Sequence, residues 1–332
     1  GASLTIGTGG TLDIYGNLVN NGVFNAAAGN LGFRGIAIQS IPAFTTINAT
    51  MNGIGVVLSG NATITGNLTL SNGNITLGTN NLSFANSNIG SLGSHIITNG
   101  SGNVVVQNLA ALTFRTVPVG INSSSFNPVV LTANAGHTTD NFTINVKQGV
   151  FVNGVSGSFY TDNVVDRTWT INESTAGGSN INITFQWVAA EELISFQRNR
   201  SYVMRFNGTN WIAGPPTGAG GSNPYTQTLN GVTSFSPFAV RSEPIPRPST
   251  GIYPNPANKE INVVLDLPSD TPITFSIYDA KGSLIKQEKI NVIAGLSRTT
   301  LNIDKLSSGV YVLKLSTAAN PEFIVQRFVK SL

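Results

Sequence analysis

The chain has 332 residues, of which 10 % are charged and 40 % hydrophobic, and its formal net charge is +3, whereas about 25 % charged residues is usual. So small a positive excess argues against nucleic-acid binding through the phosphate backbone, which needs clustered Lys and Arg. The absence of cysteine excludes disulfides, thiol catalysis and thiolate metal sites, and no apolar run reaches the roughly 18 residues of a membrane-spanning helix.

Charged residues divide the chain into regions of different character. The first 114 residues hold one acid, Asp13, and one base, Arg34, whereas residues 115–249 hold eight bases and seven acids. Throughout, short stretches of Val, Ile, Leu, Thr and Phe alternate with Gly, Asn and Ser, and no segment reads as a long amphipathic helix. Many short strands joined by turns produce such a pattern, so the sequence predicts an all-β fold.

Residues 1–114 contain a repeat in which apolar positions recur every six or seven residues, with Gly and Asn between them. The clearest apolar positions are Leu58, Ile64, Leu70, Leu77 and Phe84. A strand of three or four residues and a corner give this spacing, since Gly and Asn tolerate the left-handed backbone of sharp corners. Short fixed periods are typical of β-solenoids. We therefore predict a parallel β-helix, with an irregular antiparallel sandwich as the alternative.

Residues 115–241 have longer alternating strands and predict a β-sandwich. Trp211 lies at a predicted hairpin, where an exposed ring could stack on a sugar. Arg198 and Arg200 are predicted to share one strand face with Tyr202 beside them, and such a surface could bind an anionic sugar or a protein partner. Core packing of Trp211 and a solvated strand edge at the arginines are the alternatives.

Few residues suggest catalysis. His95 and His137 lie 42 positions apart in predicted turns, and the nearest acid, Asp140, would form no more than an exposed loop pair with His137. Glu191 and Glu192 are neighbours on a predicted strand and would point to opposite faces, so a solvated edge is expected rather than joint action on one bond. We predict no catalytic residues.

Metal and cofactor sites are also not expected. Asp162 and Asp166 could bind calcium weakly, but the Asp-x-Asp-x-Asp-Gly loop of strong calcium sites is absent. The glycines at 7–10 lack the Lys and the helix of a phosphate-binding loop. The sequence therefore predicts neither a resident metal nor a cofactor.

Residues 242–250 alternate proline with other residues and predict a short, stiff linker. The segment after it, 251–332, resembles the type A C-terminal sorting domain of proteins exported by the Bacteroidetes type IX secretion system. The residues that carry the resemblance are Tyr253, Pro254, Asn255, Pro256, Lys281, Gly282, Gly309, Tyr311, Leu313, Lys314, Arg327 and Lys330. The alternative is a small Ig-like module with a purely stabilising role.

The resemblance implies an Ig-like β-sandwich that is recognised by an outer-membrane β-barrel shuttle and the type IX translocon. It also implies a signal peptide that is removed on export, and a final location on the cell surface or outside a Gram-negative bacterium. Upstream, the patterns at 116–120, 127–131 and 165–169 are similar to those of Gly/Asn-rich β-helix proteins of the adhesin kind.

These observations favour a non-enzymatic surface protein with a structural or adhesive role. A solenoid has two ends with unpaired backbone groups, so assembly into homo-oligomers or a filament is a further expectation. The alternatives are a carbohydrate-binding protein that recognises a surface glycan, and a polysaccharide-degrading enzyme built on the β-helix. The enzyme is disfavoured because such enzymes carry acidic and basic residues along one solenoid face.

Overall fold

The computed structural model describes residues 3–243, 251–267, 270–293, 295–318 and 324–332. The chain is almost entirely β-structure, which confirms the predicted all-β fold. It divides into two compact units, Gly1–Pro244 and Ile245–Leu332. From residue 244 to 250 the predicted linker lies outside the described residues. In the described part of the chain, no helix is long and apolar enough to cross a membrane.

The N-terminal part of the first unit is a stack of parallel coils. Its strands are β1 (Ser3–Thr5), β2 (Thr11–Ile14), β3 (Val23–Phe33), β4 (Ile38–Ile41), β5 (Phe44–Leu58), β6 (Ala62–Thr76), β7 (Leu82–Ser87), β8 (Ile96–Ile97) and β9 (Val104–Leu109). Ala62 lies opposite Leu82, and Leu82 lies opposite Val104, so the chain advances by 20 and then 22 residues per coil. Three of the predicted six- or seven-residue steps thus complete one coil, and the predicted solenoid is confirmed.

The repeat positions fill the interior of the coils. Ile64, Leu77 and Phe84 have no exposed surface, and Leu58 and Leu70 are almost as deeply buried. At one corner, the side-chain oxygen of each asparagine accepts a hydrogen bond from the backbone N–H one coil later. Asn61 accepts from Asn81 at 2.8 Å, and Asn81 accepts from Asn103 at 2.9 Å. Apolar burial and corner asparagines together hold successive coils in register.

The strands of one further sheet and of an extension of the coil sheet complete the first unit. These strands are β10 (Phe114–Val117), β11 (Val119–Gly120), β12 (Val129–Ala133), β13 (Asp140–Gln148), β14 (Val164–Glu173), β15 (Ile181–Trp187), β16 (Ser201–Phe206), β17 (Trp211–Ala213), β18 (Gly220–Gly221), β19 (Tyr225–Val232) and β20 (Pro237–Ser242). One sheet has the order β10-β12-β15-β19-β18, and the other continues the coil sheet as β9-β13-β14-β20-β16-β17. Trp169 and Phe185 pack between them with ring centroids 5.1 Å apart, as in the sandwich predicted here.

The sandwich covers the C-terminal end of the coil stack. Strand β9 pairs in parallel with β7 on one side and antiparallel with β13 on the other. The Asn145 amide donates to the Gly102 carbonyl at 2.7 Å, so a sandwich side chain caps the last coil. The expectation of two open solenoid ends is therefore wrong at this end, because β13 pairs with the outer edge of β9. At the other end, β1 and β2 pair only with β3 among the described residues.

The second unit is a two-sheet sandwich. Its strands are β21 (Gly251–Tyr253), β22 (Glu260–Leu267), β23 (Thr271–Tyr278), β24 (Leu284–Val292), β25 (Gly295–Asn302), β26 (Gly309–Ser316) and β27 (Ile324–Lys330). The sheets have the orders β21-β22-β25 and β24-β23-β26-β27, with antiparallel pairing throughout. Ile261, Phe275 and Phe328 belong to its own apolar core, which is separate from that of the first unit.

Candidate functional site

The turn at Tyr253–Pro256 is tied to the last strand of the second unit. The Asn255 side-chain oxygen accepts a hydrogen bond from the Val329 N–H at 2.9 Å. The next residue but one, Ala257, donates its N–H to the Val329 carbonyl and accepts from the Ser331 N–H. Pro254 and Pro256 restrict the backbone on both sides of Asn255, so this short motif holds the C-terminal strand from across the unit.

Strand register brings the other motif pieces to the same end of the four-stranded sheet. Tyr278 lies opposite Val312, and Val312 lies opposite Arg327. Gly309, at the start of β26, lies opposite Lys330 at the end of β27. The hairpin tip that follows Tyr278 therefore sits beside the start of β26 and the end of β27. Residues far apart in sequence thus form one local surface.

The hairpin tip is organised by an acid, Asp279, two residues before the Lys281–Gly282 pair. Asp279 Oδ1 accepts hydrogen bonds from the backbone N–H groups of Ser283 and Lys281, at 2.9 and 2.8 Å. These bonds, led by that from Ser283, lower the pKa of the Asp279 carboxyl. Gly282 has φ 84°, a conformation that favours glycine. An Asp two residues before a Lys-Gly tip is a sequence signal for a turn of this kind.

The remaining motif residues divide between core and surface. Tyr311 stacks on Phe328 with ring centroids 5.6 Å apart, and its hydroxyl donates to the Ser307 carbonyl at 2.8 Å. Leu313 is fully buried, whereas Arg327 is exposed. Lys330 is buried along most of its length, and its Nζ donates to the Ser331 carbonyl. Lys314 is partly buried on the outer side of β26. Structural and surface roles are therefore interleaved in this motif.

The four candidate ligand contacts of the first unit do not form one surface. Arg198 and Arg200 lie in a short 3₁₀ helix, Arg198–Arg200, and not on a strand face as predicted. Arg198 pairs with Glu192 at 2.7 Å and lies 4.2 Å above the ring centroid of Tyr225. Arg200 pairs instead with Glu243 at 2.5 Å. The 3₁₀ turn rotates successive side chains away from each other, which explains the difference.

Trp211 and Tyr202 share a small apolar cluster with Met204 and Val164. The Trp211 ring is partly buried and packs against Phe206 in an edge-on arrangement at 5.6 Å. Its indole N–H donates to the Phe151 carbonyl at 2.9 Å. Burial raises the pKa of the Tyr202 hydroxyl. Both side chains therefore support local structure, and glycan contact by either remains a prediction.

A buried polar network lies where the sequence predicts a solvated edge. Glu191 follows β15 in a second 3₁₀ helix, Ala189–Glu191, and is only 6 % exposed. It forms an ion pair with Arg167 at 2.8 Å and accepts from the Asn127 amide at 2.7 Å. Arg167 also donates to the side-chain oxygen of Asn127. The backbone carbonyl of Asn127 accepts from the Trp169 indole N–H at 3.1 Å. The patterns at 127–131 and 165–169 thus meet at one charged cluster that holds the sandwich together.

Both histidines are buried rather than in exposed turns. The ring nitrogens of His95 face the carbonyls of Ser91 and Asn122, at 3.1 and 2.9 Å. Burial lowers the pKa of His95, and these backbone contacts oppose that shift. His137 lies against the Leu109 carbonyl and the Asn180 N–H. Among the described residues, no group of three or more His, Asp or Glu side chains could hold a metal ion.

Comparison with known proteins identifies the second unit. Residues 251–331 match the family model of the secretion system C-terminal sorting domain. The match supports the interpretation of the chain as a cargo of type IX secretion. It indicates export to the cell surface or the extracellular space of a Bacteroidetes bacterium. It also implies interaction with the type IX secretion machinery.

Upstream of this domain the comparisons are sparse. No curated protein matches the chain. Among solved structures, PorZ, an essential bacterial surface component of the type IX secretion system of Porphyromonas gingivalis, is 12 % identical over 62 % of this chain and 37 % of that chain. Its TM-score of 0.21 is too low for the similarity to define the fold or the role of the first unit.

Proposed function

We propose that the protein is a non-enzymatic, structural or adhesive component of the cell surface. In this proposal the coil stack is a stiff spacer, the sandwich fused to it contacts a partner, and the second unit directs export. The observation that carries the proposal is the continuous sheet from β9 into β13, which joins spacer and sandwich into one body. Such a body suits passive display of a contact surface.

The charge distribution supports a non-enzymatic role for the coils. Asp13 and Arg34 are the only charged residues among the first 114. They form an ion pair with each other at 2.6 Å. Glycosidic bond cleavage generally uses a pair of carboxyl groups that flank the bond, and the coil stack offers only one. If polysaccharide turnover by the purified chain were abolished by Asp13→Asn, the enzyme alternative would be supported instead.

For export, we propose that an outer-membrane β-barrel shuttle of the type IX translocon recognises the second unit. The test expresses the full chain behind a signal peptide in a Bacteroidetes host, and in the same host without a working translocon. We expect protease-accessible protein on the surface of the first strain and periplasmic protein in the second. A chain that lacks residues 251–332 should stay in the periplasm of both strains. Surface display in the translocon-deficient strain would contradict the proposal.

A further inference from the structure

An open groove in the sandwich is lined by none of the four predicted ligand contacts. Its volume is about 540 Å³, within the range of about 300–1,000 Å³ that is common for ligand sites. The groove is formed where β13 ends and β14 begins. Its principal lining residues are Gln148, Phe159, Tyr160, Thr161, Asp166 and Leu193. The groove therefore has an apolar wall of aromatic and aliphatic side chains and a polar wall of hydrogen-bonding groups.

The aromatic wall is held in position by its neighbours. Phe159 is 50 % exposed, yet its ring stacks on Phe151 with centroids 4.2 Å apart and planes inclined by 25°. The ring also lies against Gly149, where an added Cβ would come within 2.5 Å of it. Tyr160 is fixed by the Arg241 guanidinium, 4.4 Å from its ring centroid. A rigid, half-exposed ring presents apolar surface to a ligand at little entropic cost.

The polar wall offers hydrogen-bond acceptors. Asp166 Oδ2 accepts from the Gln148 amide at 2.8 Å, which leaves the Gln148 carbonyl oxygen free to accept. In the described part of the chain, Asp166 Oδ1 takes part in no hydrogen bond, and its side chain is 21 % exposed. The nearest cation, Arg167, lies 3.7 Å from Oδ2 and is committed to Glu191. A carboxylate and an amide oxygen together favour a ligand that donates several hydrogen bonds and carries no negative charge.

We propose that this groove binds a neutral sugar unit of a surface glycan. Sugar rings combine an apolar C–H face with hydroxyl donors at the rim. The groove offers an aromatic surface for the C–H face and hydrogen-bond acceptors for the hydroxyl groups. The C–H face lies on Phe159, while hydroxyl groups donate to Asp166 and Gln148. The inference rests on the proposed contact role of the sandwich and names the class of ligand for it.

The test is binding of the full chain to an array of neutral and acidic glycans, followed by calorimetric titration of the tightest neutral oligosaccharide. We expect neutral glycans to bind, and we expect Phe159→Ala to weaken binding at least tenfold. Asp166→Asn keeps the shape of the side chain and should weaken binding severalfold with an unchanged unfolding midpoint. The matched control is Phe114→Ala, which removes another exposed phenylalanine, 64 % exposed on the other sheet, and should leave affinity unchanged.

Several outcomes would overturn the sugar site. These are no glycan binding by the full chain, binding of acidic glycans only, binding that EDTA abolishes, and equal losses in Phe159→Ala and Phe114→Ala. If Phe159→Ala does not fold, unchanged affinity in Asp166→Asn rejects the site just as firmly. The export experiment does not depend on the groove, so surface display without sugar binding rejects this site and leaves the proposed surface role standing.

Discussion

Asn255 joins the first turn of the second unit to its last strand through a single side chain. Replacing it with alanine removes the acceptor for the Val329 N–H. A hydrogen bond of this kind contributes about 1 kcal/mol, so we expect about fivefold faster amide exchange in the peptide that spans β27. Hydrogen-exchange mass spectrometry of the full chain measures this. Asn291→Ala, at an exposed position of β24, should leave the rate unchanged, and equal rates in the two variants would contradict the assigned role.

Among the acidic residues, Glu191 is the one whose removal should lower the free energy of unfolding most. In Glu191→Ala the Arg167 guanidinium stays buried without its partner, and loss of one member of a buried pair typically costs about 3–5 kcal/mol. Urea unfolding followed by tryptophan fluorescence measures the change. Asp13→Ala breaks the ion pair with Arg34, whose two side chains are 34 % and 36 % exposed, and should lower the free energy of unfolding by no more than about 1 kcal/mol. Similar losses of unfolding free energy in both variants would contradict the larger contribution expected of the buried Glu191–Arg167 pair.

His95 gives the first unit a pH dependence of defined sign. Burial lowers its pKa below the ordinary value of 6.5, so the unfolded chain takes up the proton first as pH falls. The stability linked to His95 is therefore complete above about pH 6.5 and is lost as pH falls towards the folded-state pKa. We expect His95→Gln to show a smaller drop in urea midpoint between pH 7.5 and 5.5 than the unchanged chain. Identical drops would exclude His95 as a source of this dependence.

Individual side-chain partners could not be read from the sequence. Arg167 and Glu191 are 24 positions apart and meet only because β14 and the 3₁₀ helix after β15 become neighbours in space. The prediction of a strand at Arg198 is wrong because a short 3₁₀ turn has no apolar period to reveal it. The groove at Phe159 could not be predicted either, since the stacking of Phe159 on Phe151 depends on how the loop between β13 and β14 folds back. Such contacts depend on tertiary structure, whereas local patterns record only the chain's own periodicity.

At the scale of elements, the coils could be predicted because each inward position must be apolar and each corner must turn sharply. The steps from Leu58 to Phe84 carried both signals. The junction at β9 and β13 could not be predicted, because an edge strand has the same alternation whether solvent or another strand covers it. The sorting domain was recognised from the joint occurrence of its short motifs, while their shared location became visible only through strand register.

Neighbouring coils approach each other so closely at Gly102 that no side chain fits there without a shift of the backbone. An added Cβ there would lie 2.0 Å from the Asn80 carbonyl oxygen of the preceding coil. Relief of this overlap must push coils apart, so we expect Gly102→Ala to lower the free energy of unfolding by about 1–3 kcal/mol, as overpacking does. Urea unfolding followed by circular dichroism measures the loss. Gly16→Ala, with no atom within 4 Å of its added Cβ, is the control, and an equal effect of both changes would refute steric contact as the cause.

On the scale of the whole molecule, the number of cores determines how the protein unfolds. A single apolar cluster runs from Ile6 in the first coil to Val240 in β20, and the second unit has a separate one. Coils and sandwich are therefore expected to unfold together, since β9 and β13 share backbone hydrogen bonds across their junction. The second unit, with its own core, should unfold as a separate transition.

Tryptophan fluorescence can test this coupling because Trp169, Trp187 and Trp211 all lie in the sandwich. Gly102→Ala places its added Cβ against Asn80 of the preceding coil, and a shared core requires that it lower the fluorescence midpoint in urea as much as the circular dichroism midpoint of the first unit. The separate circular dichroism transition of the second unit should not move, because its core does not include Gly102. An unchanged tryptophan midpoint, with an earlier separate loss of β-structure, would mean that spacer and sandwich fold independently and that β13 merely rests on the last coil.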